Sequence, residues 1–155
     1  VLYQFFDNKD HLIRTILESG FQTLRDLMKE AENRSDDPEE KLVNIALARF
    51  RFAKDHAALH SLMFTTDSPK WFRETVLTGM CQTRDIVSNL LKEISGRTDD
   101  CLDLITNFIS IIKGYSFFAT ELPSEHSQKQ FFGEKNPEEE LRKAMIRFLK
   151  SIRSK

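Results

Sequence analysis

The stretch from position 99 to position 121 constrains the fold most, because its apolar residues would cover almost every side of a helix. They are Leu102, Leu104, Ile105, Phe108, Ile109, Ile111, Ile112, Tyr115, Phe117 and Phe118. A helix of this kind must be covered by neighbours on more than one side. The chain therefore has to supply several further helices, or share this one with a partner.

The remaining segments predict such helices. Apolar residues recur at spacings of three and four over 8–33, 38–53, 69–95 and 137–153, and no segment alternates convincingly at strand period. A break between Lys54 and Ala57, with Asp55 as a cap, would set apart a short helix through Met63. One continuous helix is the alternative. The polar range 123–135 is expected to be a loop.

Helix ends are marked by local sequence. Asp37-Pro38 and Asn136-Pro137 each place a capping side chain before a proline that suits the first helical position. Glu40 could reach back to Asp37 as in a capping box. Gly96 is a natural stop, whereas Gly20 interrupts the first helix at a cost of about 1 kcal/mol. The prediction is an all-α bundle of six or seven helices.

Composition and motifs narrow the function. A net charge of −1 gives no sign of the large basic face of an independent nucleic-acid binder. Cys81 and Cys101 stand in no metal or redox spacing, so we expect a reducing cytoplasm. No apolar run reaches membrane-spanning length, which predicts no membrane partner.

Enzymatic motifs are also missing from the sequence. The five glycines are isolated and no serine or cysteine stands in a nucleophile motif. His56 and His60 could share a helix face, but Ala57 stands where a hydrolytic zinc helix needs glutamate. We therefore expect no enzyme, no metal and no cofactor. A helical-bundle enzyme is the third-ranked alternative, which metal content would test.

The first twelve positions suggest a corner between two helices. Asp7 and Asn8 would form the corner, and Lys9 would lie in the first turn of the next helix. Free amides and the helix dipole favour phosphate at such a terminus, and Tyr3 could donate its hydroxyl to a backbone phosphate oxygen. An ordinary helix–turn–helix corner with a half-buried Tyr3 would give the same sequence.

The order of these residues adds a resemblance. Leu2-Tyr3-Gln4-Phe5-Phe6-Asp7-Asn8-Lys9-Asp10-His11-Leu12 resembles the TetR-family hallmark, Leu-Tyr-x-x-Phe-x-x-Lys-x-x-Leu, which closes the recognition helix and opens the first regulatory helix. The resemblance implies that Tyr3 and Lys9 contact operator phosphates, that Gln4 lies near the operator and that Phe6 is core. Phe5 departs from the polar or histidine residue often found in its place.

A second stretch, 52–64, is similar to part of the family's regulatory domain, where a proline often stands at the position of Ala57. By this likeness, 1–7 would end a helix-turn-helix DNA-binding domain and 8–155 would bind ligand and dimerise. About 40 residues of the DNA-binding head would precede Val1, and the 155 residues alone should not bind an operator.

The resemblance implies a cytoplasmic, ligand-responsive transcription regulator, taken to be a repressor, with a small apolar effector in its core. The helix over 8–33 would connect the effector pocket to the DNA-binding head. We expect the effector among Phe52, Trp71 and Phe108, with Cys81 as a further possible anchor. For each candidate ligand-binding residue, core packing is the favoured explanation. The full set is Arg49, Phe52, His56, Met63, Phe64, Trp71, Phe72, Met80, Phe108 and Tyr115.

A homodimer is the last expectation. The final two long helices carry more apolar surface than one domain needs, and a two-fold four-helix bundle would bury it. Internal core is the other explanation, and at Gly114 a kink or a pocket opening is the alternative to a close helix contact. The candidate interface residues are Ile109, Lys113, Gly114, Phe117, Met145, Phe148 and Ile152. A helical small-molecule or protein-interaction module without a DNA role is the alternative function.

Overall fold

The computed structural model describes residues 8–64, 70–122 and 124–154. Within them the chain forms seven α-helices: α1 (Lys9–Glu32), α2 (Pro38–Asp55), α3 (Ala57–Met63), α4 (Lys70–Ser95), α5 (Leu102–Ser116), α6 (Glu125–Phe132) and α7 (Pro137–Ile152). A π-helical segment, Phe117–Glu121, continues α5. These ranges contain no strand, which confirms the predicted all-α bundle of six or seven helices. Tyr3, Gln4 and Phe6 lie outside the described residues.

The predicted helix starts hold at three places. Asn8 accepts a hydrogen bond from the His11 amide at 2.9 Å and opens α1. Asp37 accepts from the Glu39 amide at 3.3 Å, and Asn136 accepts from the amides of two residues of α7. Each side chain thereby satisfies an amide that the first helical turn leaves free. Gly96 follows α4 with φ of 68°, as expected of a helix stop.

Two predicted caps are wrong in detail. Glu40 does not reach back to Asp37; its carboxylate accepts from the hydroxyl of Ser35, which in turn accepts from the Asp37 amide at 3.2 Å. The break between α2 and α3 is present, but His56 stands at the start of α3 without a side-chain cap, so Asp55 is not the cap.

The predicted loop over 123–135 is corrected, because α6 lies within it. Ser124 caps α6 by accepting from the Ser127 amide at 3.2 Å, and Gly133 with φ of 60° follows its last residue. None of its residues is fully buried. Its Phe131 ring stacks on Phe118 at 4.1 Å between centroids, so α6 covers the π segment.

Helix α2 is the centre of the bundle. It contacts α1, α3, α4, α5 and α7, and it contributes much of the buried core, including Leu42, Ile45, Phe50 and Phe52. Two arginine–glutamate pairs link it to α7 near both ends, Arg153 with Glu39 and Arg51 with Glu138.

Helix α5 is not covered on every side. Leu104, Ile105, Phe108 and Ile112 are buried, but Leu102 at its start remains 51% exposed. One face of the most apolar helix therefore reaches the surface of the described chain. None of the described helices combines the length and apolarity needed to cross a lipid bilayer.

Two glycines allow close helix contacts. A Cβ at Gly20 would lie 2.8 Å from the Met63 sulfur, so the glycine that weakens α1 as a helix also lets α3 approach it. A Cβ at Gly79 of α4 would overlap the ring of Phe21. Both contacts bring α1 against its neighbours where a larger residue would separate them.

Candidate ligand-binding site

A small, partly open cavity of about 10 Å³ lies where α1, α2, α3 and α5 meet. Its polar lining consists of Arg49, His60, Lys113 and Ser116, which we call the polar cluster. Leu24, Phe52, Ile109 and Ile112 complete the wall. The volume is that of about one water-sized group. Three basic side chains and a hydroxyl in an apolar wall form a small, electropositive site.

Arg49 projects from α2 into this interior. It is only 9% exposed, and its guanidinium donates to the Met28 sulfur at 3.5 Å. Burial lowers the pKa of Arg49 to about 10, which still leaves it charged at neutral pH. No carboxylate of the described residues forms an ion pair with it. A buried charge with a sulfur partner alone is costly.

His60 and Lys113 face the same space from α3 and α5. Burial, then the charges of Arg49 and Lys113, lower the pKa of His60 to about 4, so its ring is neutral at pH 7. Burial, then Arg49, also lowers the pKa of Lys113, while Glu121 acts in the opposite direction. The Lys113 ammonium lies 5.0 Å from the centre of the Phe64 ring, a cation–π distance.

Ser116 completes the cluster at the last position of α5. It is 3% exposed, and its hydroxyl has no hydrogen-bond partner among the described residues. Its carbonyl oxygen accepts from the Thr120 hydroxyl of the π segment at 2.8 Å. A buried hydroxyl without a partner costs about 1–3 kcal/mol, so a bound polar group that pairs with Ser116 would stabilise the fold.

An open cleft of about 310 Å³ adjoins the cavity and shares His60, Lys113 and Ser116 with it. Its remaining lining is Ser61, Phe64, Phe117 and Glu121. Cavity and cleft together therefore make one site, with Arg49 at its buried end and Lys113 reaching the exposed surface. Two phenylalanine rings and one carboxylate lie toward the surface. The size is at the lower end for small-molecule sites.

Three of the predicted ligand-binding residues lie at this site: Arg49 and Phe52 at the cavity and Phe64 at the cleft. Met63, Phe72 and Phe108 are buried in the helical core, where they pack between helices. Met80 is half-buried against that core. For these four residues, packing accounts for their position.

Phe52, Trp71 and Phe108 do not line one common cavity, contrary to the expectation for the effector site. Trp71 lines a separate groove of about 390 Å³ between α1 and α4, with the Arg14 guanidinium 5.4 Å from its ring centre. Tyr115 lines a third groove, of about 470 Å³, beside α6 and α7. Phe108 is fully buried. The predicted aromatic set is therefore divided among different parts of the bundle.

Two predicted anchors are corrected. His56 is exposed at the junction of α2 and α3, and Cys81 is exposed on α4. Sequence reasoning missed His60 and Ser116 as site residues and placed Lys113 only at a dimer interface. One available signal was the spacing of Lys113 and Ser116, which stand three residues apart in the last part of the most apolar helix.

The candidate dimer residues of α5 and the π segment are divided between the cavity and the surface, since Ile109 and Lys113 also line the cavity. Lys113 and Phe117 are exposed, and Ile109 and Gly114 are half-buried. Phe148 and Ile152 are half-buried on α7. Met145 is corrected, because its side chain is fully buried in this chain's own core and is not available to a partner.

Lys9, the remaining candidate DNA contact, is exposed in the first turn of α1. The Asn8 side chain occupies one amide of that turn, and Asp10 adds a negative charge there. A phosphate contact from Lys9 would therefore depend on its ammonium more than on the helix terminus.

Comparison with known proteins adds information on the fold. No protein-family model matches the sequence, and no curated protein matches it. The chain is similar to a solved structure of a protein with unknown function from Rhodococcus sp. RHA1, with a TM-score of 0.72 and 16% sequence identity. The match covers 97% of this chain and 77% of that chain. At this identity, the likeness shows a shared fold.

Proposed function

We propose that this chain is the sensing and dimerising part of a TetR-like, ligand-responsive transcription regulator that acts as a cytoplasmic repressor. The observation that carries the proposal is the cavity and cleft around the polar cluster, since a buried site with unpaired polar groups suits a small effector. The likeness of positions 2–12 to the TetR hallmark supplies the DNA-binding part. The regulator would bind effector and operator without catalysing a reaction, and this chain would supply the effector site.

The position of α1 supports coupling between the site and a DNA-binding head. Leu24 of α1 lines the cavity, and Met28 accepts the hydrogen bond from Arg49. The helix then extends back to Lys9, and its 24 residues span about 36 Å. An effector that displaces Arg49 would act on α1 directly. A change in the tilt of α1 would alter the spacing of two heads in a dimer.

The first test concerns DNA. The protein as its own cell makes it should enrich a two-fold symmetric sequence from random duplexes, because a symmetric dimer reads two related half-sites. Recovery of random sequence would contradict the regulator proposal. It would favour the alternative, a small-molecule or protein-interaction module.

Lys9 gives this test a residue-level version. Lys9→Gln should weaken operator binding and reduce the slope of log affinity against log salt by about 1.8, because each protomer of the dimer loses one phosphate contact worth about 0.9. Lys29→Gln is the matched control, since Lys29 is an exposed lysine near the other end of α1. Equal salt slopes for the two variants would remove Lys9 from the DNA contact.

A further inference from the structure

The polar cluster has the chemistry of a binding site for an anion. Arg49 and Lys113 supply positive charge, while the Ser116 hydroxyl and the His60 ring can donate hydrogen bonds. Arg49 and Ser116 are both more than nine-tenths buried, and no described carboxylate pairs with the arginine. Burying the Arg49 charge in an apolar wall, with Lys113 beside it, opposes folding unless a negative group offsets it.

The shape of the site limits the anion. The buried end has room for about one small group. A carboxylate is planar and can accept two parallel hydrogen bonds from a guanidinium. A tetrahedral phosphate is bulkier than a carboxylate and carries more negative charge. Glu121 already adds a negative charge at the mouth of the cleft, so the site favours the less charged group.

The cleft next to the cluster suits an apolar body. Phe64 and Phe117 lie on its walls, and its volume of about 310 Å³ holds a compact ring or a short hydrocarbon chain. The Lys113 ammonium lies over the Phe64 ring, so the head and the body of one ligand would meet at this lysine.

From these observations we infer that the effector is a monocarboxylic acid with a small aromatic or aliphatic body, its carboxylate held by Arg49, Lys113 and Ser116 and its body in the cleft beside Phe64 and Phe117. This identification of the effector deepens the proposed function and rests on it. The site itself does not depend on a DNA role.

Calorimetric titration of the full chain tests the inference. The probes are benzoate and octanoate, each compared with its primary amide, which has a similar shape but no charge. At least one acid should bind at a single site and more tightly than its amide by about tenfold or more. Failure of both acids to bind below about 10 mM, or equal affinity of acid and amide, would overturn the inference. Inorganic phosphate that binds as tightly as the better acid would also overturn it.

Substitutions locate the binding. Lys113→Met keeps the length of the side chain and removes its charge, so it should weaken acid binding about tenfold and leave amide binding unchanged. Glu121→Gln should strengthen acid binding about twofold to fivefold, because it removes a negative charge from the cleft. Lys54→Met is the matched control, on an exposed lysine of α2 away from the cleft. Equal affinities in all three variants would place the acid elsewhere.

The outcome for the site and the outcome for the regulator are separable. If the acids bind at the cluster but no DNA sequence is enriched, the site stands and the regulator proposal fails. If a DNA sequence is enriched but the acids do not bind, the regulator stands and this effector class fails. Release of the selected DNA by the better acid, but not by its amide, is the result expected if both are correct.

Discussion

At the scale of single residues, the site depends on side chains that are unremarkable in the linear sequence. Arg49, Phe52 and Phe64 could be identified because they lie in helices with an apolar face. The convergence of His60, Lys113 and Ser116 could not, because it depends on how α3 and α5 pack against α2. Periodicity within one helix reports which face is buried, but not which residues of other helices meet that face.

His60 provides a prediction about acid. The folded chain holds the pKa of His60 near 4, whereas its ordinary value is 6.5. As pH falls from 6.5 to 4, His60 becomes protonated in the unfolded chain. In the folded chain it stays neutral beside the charges of Arg49 and Lys113, so the folded state loses stability relative to the unfolded state. Over this interval the free energy of unfolding of the wild type should fall by about 1–2 kcal/mol more than that of His60→Gln. The full pKa shift would give a larger loss, but the His60 ring is partly exposed and solvent screens the effect.

Denaturant unfolding at pH 7, 5.5 and 4 measures this difference. Carboxylates whose pKa is lowered by a basic partner, such as Glu39 beside Arg153, also lose stabilisation in acid, but they do so equally in both proteins. His56→Gln, at an exposed histidine, should follow the wild type. Parallel curves for the wild type and His60→Gln would show that His60 is not resisting protonation.

At the scale of helices, the sequence predicted those helices that bury an apolar stripe and have recognisable capping residues at their ends. Helix α7 is an example, since Asn136 and Pro137 mark its start and Leu141, Met145 and Leu149 its buried face. Helix α6 was missed because it has eight residues and none that is fully buried. The π segment after α5 was also missed, since Phe117–Glu121 continues the same apolar spacing with a wider turn.

Two glycines in helices should respond oppositely to alanine. Gly79→Ala should destabilise the chain by about 1–2 kcal/mol, because overlap with the Phe21 ring outweighs the gain in helix propensity. Gly114→Ala meets no atom of the described chain within 4 Å and should stabilise the folded monomer by up to about 1 kcal/mol. Thermal and denaturant unfolding compare the two, and stabilisation by Gly79→Ala would contradict the close contact of α1 and α4.

At the scale of the whole molecule, the exposed apolar surface is uneven. Among the large apolar residues described as exposed, Leu102, Phe117, Phe131 and Ile146 belong to the C-terminal part, from α5 to α7. Ile16 and Leu77 belong to α1 and α4. This distribution agrees with a partner on the C-terminal helices. The cleft borders the outer face of α5 through Lys113 and Phe117, so an effector there would also lie near the proposed dimer contact.

Sedimentation equilibrium at micromolar concentration tests the homodimer. Ile146 is exposed on α7, so Ile146→Asp would place a charge in the proposed dimer contact and should raise the dimer dissociation constant about tenfold or more. Leu77→Asp is the matched control on α4, and it should leave the dissociation constant unchanged. A monomeric wild type, or an equal effect of the two variants, would exclude a dimer through α7.

The unpaired hydroxyl of Ser116 has a consequence for how such a protein adapts to heat. Ser116→Ala removes a buried hydroxyl that has no partner among the described residues, so one route to greater heat tolerance passes through the site itself. Selection for thermal tolerance alone would therefore favour chains that fold better and respond to no acid. A lineage that retains Ser116 in a hot environment would have to gain its stability elsewhere in the bundle.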